Sequence, residues 1–222
     1  MVKASDVISN TATQQIAIPL STRLGQGDKI RMTIPFRGTM SKTLNGMYIS
    51  QGIDESTGLP GPPVVVTQFE ATYARKAFPC LDEPAFKAKF RVILEGIEPG
   101  LEALSNMPVA TRATRSDGTV TYRYEESVPM STYLLAVVIG RFTATWGTYV
   151  SPLDPARTVN VSVWAPPGNE NRLTYALDAA RDSLAKYESS FNVAFPLPEM
   201  KMAAIESFAA GAMENWGLVT YR

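Results

Sequence analysis

Histidine is missing altogether: none of the 222 residues is His. Ser-His and Cys-His hydrolases need an imidazole to take the nucleophile's proton, and catalytic zinc needs at least one imidazole or several thiolates. Both chemistries are therefore excluded for the chain acting alone. Cysteine is almost as scarce. Cys80 is the single thiol, so an internal disulfide is impossible, as in a reducing compartment or in a small piece of a larger protein. With no base to deprotonate it, Cys80 reads as a buried, small apolar residue rather than a nucleophile. Net charge is absent as well, 21 Lys and Arg balancing 21 Asp and Glu. Without a basic stripe there is nothing to hold a nucleic-acid backbone or an anionic membrane surface. No apolar run approaches the roughly 18 residues of a membrane-spanning segment. The start, MVKASDVISN, lacks the charged-then-apolar pattern of a secretion signal.

What is present is the composition of a globular protein, 45% hydrophobic and 19% charged. From Ile16 to about Val150 short segments rich in β-branched and aromatic residues are broken by Gly, Pro, Asn and Asp. They include 15–20, 29–38, 64–70, 89–96, 119–128, 132–142 and 143–150. Val120, Tyr122 and Tyr124 alternate with Thr121, Arg123 and Glu125, the pattern of an antiparallel sheet with one wet face. Asp117-Gly118 suits a hairpin turn. Pro152 and Pro155 mark a connector, after which the period changes. A strand over 158–167 is followed by Asn169 as a candidate cap. Leu173, Ala176, Leu177, Ala180, Leu184, Tyr187 and Phe191 then recur at steps of three and four, predicting an amphipathic helix over about 170–190. Its apolar stripe is expected to pack on the preceding strand and on 201–208. The fold class is thus mainly β: an antiparallel β domain over 1–150, then an α+β portion over 151–222 with one helix and an unfinished strand at its end.

Two stretches stand apart: TQFEATYARKAFPCLDEPAFKAKF at 67–90 and FPLPEMKMAAIESFAAGAMENWGLVTYR at 195–222. Both resemble the gluzincin zinc aminopeptidases of the aminopeptidase N and puromycin-sensitive aminopeptidase type. TLNGMYIS at 43–50 and MSTYLLAVVIGRF at 130–142 match in the same order. The resemblance runs from about Ile16 onward, and the puromycin-sensitive branch looks closest, since VTQFEAT, SNMPV and VPMSTYLLA follow it. It implies a saddle-like β domain leading into a thermolysin-like catalytic domain, and peptides with a free N-terminus as partners. That branch is typically cytosolic, so a cytoplasmic location is implied too.

In such enzymes GAMEN is an exopeptidase motif, and its chemistry follows from the task. Removing one residue at a time requires sensing an α-ammonium, the charge that an internal peptide bond lacks. Converging carboxylates supply the complementary field, each charge-assisted hydrogen bond contributing roughly 1.5–3 kcal/mol. Glu214 is the first such carboxylate, and the resemblance makes Glu70 the second. Gln68, two residues earlier in an extended segment, is expected on the face of Glu70 and would reach the first side-chain pocket. Gly211 and Ala212 would offer backbone to an extended substrate, glycine allowing the closest approach. The resemblance has Met213 lining a pocket and Asn215 shaping the turn. Arg75, Asp82 and Glu83 read as turn and ion-pair structure, and Phe78, Phe86, Phe90 and Trp216 as core.

The family's zinc is held by an H-E-x-x-H helix and a later Glu, which lie beyond the GAMEN strand in relatives. Nothing in this chain can substitute for them, so the metal ligands and catalytic residues are expected elsewhere and the isolated chain is expected to be inactive. Relatives also carry more strands ahead of the part matching 15–20, which implies that the natural protein begins earlier. The expected function is part of a zinc metalloaminopeptidase that hydrolyses N-terminal residues from peptides. The alternative is a non-catalytic truncated form acting as a peptide- or partner-binding module.

Overall fold

The computed structural model describes residues 6–53 and 58–222; the first five residues of the segment tested for a secretion signal lie outside it. The chain divides into two units, residues 1–37 and 38–222. In the first, β1 (Ile8–Asn10) and β2 (Gln15–Ala17) form an exposed antiparallel pair. The strand expected over 29–38 is absent; these residues are irregular and exposed. Pro35 lacks a donor, and among the described residues no neighbouring strand pairs with the segment to satisfy its backbone.

The second unit opens with a four-stranded antiparallel sheet of β3 (Gly46–Ser50), β4 (Val64–Gln68), β9 (Val137–Gly140) and β6 (Glu102–Ser105), paired in the order β3-β4-β9-β6. A second antiparallel sheet has the order β5-β8-β7, from β5 (Ile93–Ile97), β7 (Val109–Thr114) and β8 (Val120–Tyr124). The alternation read from 120–125 holds in part: Val120, Tyr122 and Tyr124 are buried and Arg123 and Glu125 are exposed, but Thr121, expected on the wet face, is buried too. Asp117-Gly118 makes the β7–β8 turn, with Gly118 at φ +84° and the Asp117 carboxylate accepting from the Thr119 N–H at 3.0 Å. Two expected strands are shorter than their apolar runs. Residues 132–134 form a 3₁₀ turn ahead of β9, and 89–92 are irregular ahead of β5.

A five-stranded mixed sheet completes the unit: β10 (Thr143–Val150), β11 (Thr158–Ala165), β12 (Glu199–Ala204), β13 (Ala212–Met213) and β14 (Leu218–Tyr221), in the order β10-β11-β12-β14-β13. β10 and β11 pair along all eight residues of each, so the connector at 151 lies inside a hairpin of this sheet. β11 and β12 are parallel and joined by helix α1 (Glu170–Phe191), the crossover that parallel pairing requires.

Side-chain alternation gives this sheet two partners. Met200, Met202 and Ala204 of β12 pack with Val161 and Val163 of β11 and with Leu173, Leu177, Ala180 and Leu184 of α1. Ala203, Ile205, Met213 and Leu218 instead join Tyr48, Val64, Val66, Leu104 and Val138 of the four-stranded sheet. The predicted stripe of α1 is buried only over its first four turns, because Tyr187 and Phe191 are exposed. Asn169 precedes the helix without a side-chain capping bond; its amide reaches back to the Pro166 carbonyl at 2.9 Å. Asn192 ends the helix in the left-handed region at φ 53°.

Of the residues read as core, Phe90 packs against the larger cluster, and Phe78 meets buried Phe69 edge-on with centroids 6.0 Å apart. Phe86 and Trp216 are exposed, which corrects that reading: each sits in a turn on the surface rather than on a strand face. Cys80 is half-buried, and burial, reinforced by Asp82 and opposed by Arg75, pushes its thiol up to about 11. Arg75 and Asp82 do form the expected structural pair, Nε to Oδ2 at 2.8 Å, while Thr132 donates to Asp82 Oδ1 at 2.7 Å.

Candidate functional site

The segment 205–217 leaves β12, forms edge strand β13 and returns as β14. Its inner residues are fixed by burial. Met213 is fully buried, and Asn215 is buried with its amide donating to Thr220 Oγ1 at 3.4 Å and its carbonyl accepting from the Leu218 N–H at 3.1 Å. Asn215 therefore shapes the turn between β13 and β14. Met213 belongs to the core, where its expected place was on a pocket wall.

The outer residues of the same segment face solvent, although the Gly211 carbonyl accepts from the Arg222 N–H at 3.0 Å and Ala212 pairs with Tyr221. Gly211, Ala212 and Glu214 are exposed, and β13 is the edge of its sheet. Gly211 has no positive φ, and a Cβ there would meet nothing within 4 Å. Its lack of a side chain is not required by this chain. Glu214 lines a groove of about 720 Å³ bounded by the second half of α1, residues 193–196 and the sheet. The groove is mostly apolar, with Tyr187, Phe191 and Tyr221 among its walls.

The second half of the candidate site comes from β4. Gln68 ends that strand and is buried, and Phe69 after it is buried too. Glu70 is exposed and begins the turn that leads to the 3₁₀ turn at Ala74–Lys76; the Glu70–Ala71 peptide bond is cis. The extended spacing expected to put Gln68 and Glu70 on one face is therefore broken, because the strand stops first. Gln68 Nε2 lies 3.4 Å from Met213 Sδ, so the end of β4 abuts β13. Gln68 Oε1 is a buried side-chain acceptor without a partner among the described residues, an expensive condition for an amide oxygen.

Four residues that motif reading did not single out hold this region: Tyr48, Ser50, Asn106 and Ser207. The Tyr48 hydroxyl donates to the Ser207 carbonyl at 3.0 Å, and the Ser207 N–H donates to Ser50 Oγ at 2.9 Å. Buried Asn106 donates to the carbonyls of Leu134 and Trp216 at 2.7 and 2.8 Å and accepts from the Ala136 N–H at 2.9 Å. Their only signal in the sequence was membership of the matched segments TLNGMYIS, SNMPV and IESF.

Comparison with known proteins gives the family. Residues 1–134 match the Peptidase M1 N-terminal domain, and residues 175–222 match the Peptidase family M1 domain. The chain belongs to peptidase family M1. Among M1 relatives, endoplasmic reticulum aminopeptidase 1 of Homo sapiens is 41% identical over 97% of this chain and 22% of its own length. Aminopeptidase M1-B of Oryza sativa subsp. japonica is 42% identical, covering 98% and 24%. Aminopeptidase N of Bos taurus is 38% identical, covering 95% and 21%. The chain thus spans between about a fifth and a quarter of the length of these M1 relatives.

The relatives raise the question of zinc. Among the described residues no group of three or more His, Cys, Asp or Glu is placed to hold a metal ion, and the sequence contains no imidazole. The residues present do not fit a zinc site. Nor is any described helix long and apolar enough to cross a membrane.

Proposed function

We propose that this chain is the substrate-gripping part of an M1 aminopeptidase, holding the free amino end of a peptide against the edge strand β13. One observation carries the reading: Gln68, whose buried Oε1 has no hydrogen-bond partner among the described residues, is seated against Met213 where β4 meets β13. That contact sets the end of β4, from which Glu70 follows, against the edge strand from which Glu214 follows. Glu70 follows Gln68 by two residues and Glu214 follows Met213 directly, each carboxylate exposed. The open side of Gly211 and Ala212 leaves an edge on which an extended peptide can pair through its backbone.

In this reading Glu70 and Glu214 hold the ammonium, the β13 backbone aligns the chain behind it, and Asn215 keeps the β13–β14 turn in shape. The water-activating chemistry of peptide hydrolysis lies with groups that this chain does not supply. The chain alone is then a peptide-binding module, and it should release no N-terminal residue from an aminoacyl fluorophore, with or without added zinc. Metal-dependent release by the purified chain would overturn that.

The direct test is binding of leucinamide against N-acetylleucinamide to the 222-residue chain, followed by NMR. Free amine should be preferred, and Glu214→Gln should lower the preference about tenfold or more, the worth of one charge-assisted hydrogen bond. α-Amino groups titrate near 7.7–8.0. Leucinamide affinity should therefore fall as pH rises past that range, while that of the acetylated probe stays flat. Equal affinity for the two probes at neutral pH would sink the reading.

A further inference from the structure

The segment that carries Met213 and Glu214 is held at both ends by the sheet that carries Gln68. At its front, Ser207 is gripped from β3: Tyr48 Oη donates to its carbonyl at 3.0 Å, and its N–H donates to Ser50 Oγ at 2.9 Å. The Ser207 hydroxyl in turn donates to the Gln51 carbonyl at 3.1 Å. At its rear, Asn106, immediately after β6, donates to the Trp216 carbonyl, and its own backbone leaves no room for a side chain on the next residue: a Cβ on Gly217 would overlap the Asn106 carbonyl oxygen. Asn106 is anchored to the Leu134 carbonyl and the Ala136 N–H. All four of its amide bonding directions but one are thus used inside the chain.

From this geometry we propose that Ser50 and Asn106 are positioning residues: they form a two-point clamp that fixes the span 208–215 relative to Gln68 and Glu70. The proposal rests on the amine-gripping reading above and explains how that grip is assembled. Gln68 and Glu70 follow from β4 and Glu214 from β13, in two different sheets. Carboxylates on separate elements recognise one ammonium only if their separation is held constant, since misplacement by about 1 Å can cost two orders of magnitude. A short edge strand with exposed Gly211 and Ala212 cannot supply that rigidity itself. The β3-β4-β9-β6 sheet supplies it, because β3, which presents Ser50, pairs directly with β4, the strand that ends in Gln68, and β6, which precedes Asn106, reaches β4 through β9.

The test uses the 222-residue chain and the two probes leucinamide and N-acetylleucinamide. Ser50→Ala removes the acceptor for Ser207, and Asn106→Asp removes the donor to Trp216 while keeping the acceptor for Ala136. Each should reduce the preference for the free amine about tenfold, and Ser50→Thr, which restores a hydroxyl, should recover it. Leu177→Ala, a destabilising change in the helix core, should leave the preference as it is; a tenfold loss there would mean that stability alone sets it and would overturn the clamp. Unchanged preference in folded Ser50→Ala and Asn106→Asp would overturn it equally. Hydrogen exchange on the wild-type chain decides the matter without variants. The Ser207 and Leu218 amides should exchange as slowly as that of Ala136, and fast exchange at both defeats the proposal. If the wild-type chain shows no preference between probes, the amine reading fails, and the exchange result alone then judges the clamp.

Discussion

Gly211 and Gly217 lie in one short segment and answer to opposite constraints. Gly217 has φ +76° and no room for a Cβ, so Gly217→Ala should destabilise the chain by about 3 kcal/mol or more, read as a shift in urea midpoint. Gly211 has neither restriction. Gly211→Ala should change stability by less than about 0.5 kcal/mol, and any loss of leucinamide binding it causes then belongs to the ligand. Glu188 is the other residue whose role is set by its surroundings. It is buried on α1 and accepts from Tyr149 Oη at 3.0 Å, Ser151 Oγ at 2.6 Å and the Phe195 N–H at 2.6 Å. Burial alone would raise its carboxyl, but those bonds outweigh it and hold the group below the ordinary 4.5. A depressed folded value means stability that is present above pH 4.5 and is lost as pH falls through the lower, folded value. Glu188→Gln should therefore cost about 1–3 kcal/mol at pH 7, and its deficit against wild type should shrink in urea titrations below pH 4.5.

At the scale of elements, α1 shows what its sequence pattern could and could not say. The period-3.6 stripe located the helix correctly, yet only Leu173, Leu177, Ala180 and Leu184 are covered, because the sheet beneath the helix passes from β10 and β11 to the open groove. Leu177 packs closely over Gly147 of β10, where a Cβ would stand 3.2 Å from a Leu177 methyl. Leu177→Ala should accordingly cost about 2–4 kcal/mol, whereas Tyr187→Ala, exposed on the same helix, should lie within about 0.5 kcal/mol of wild type in the same denaturation assay. The strands were legible where alternation met burial, as over Tyr122 to Tyr124 of β8. They were not legible at 29–38, where an apolar run has no neighbour to pair with, nor at Gln68 to Glu70, where a turn interrupts the period after the strand has ended.

For the unit 38–222 as a whole, the deciding feature is that one sheet serves two cores. Residues of β11 and β12 pack on α1 from one face, and residues of β12, β13 and β14 pack on Tyr48, Val64 and Val66 from the other. The unit should therefore unfold in a single transition, with far-ultraviolet dichroism and tryptophan fluorescence coincident along a urea titration. Two separated transitions would show instead that residues on either side of 150 fold apart. The sequence alone determined the mainly β class, the single helix, the lack of any metal-ligating imidazole and the motif residues Glu70 and Gly211 to Asn215, because composition, period and motif are local properties of the chain. The tertiary structure alone decided that Gln68 is buried against Met213, and that Ser50 and Asn106 grip the ends of the segment bearing β13. Those contacts join residues 110 to 157 positions apart, and hydrogen bonds across such separations leave no periodic trace in a single sequence.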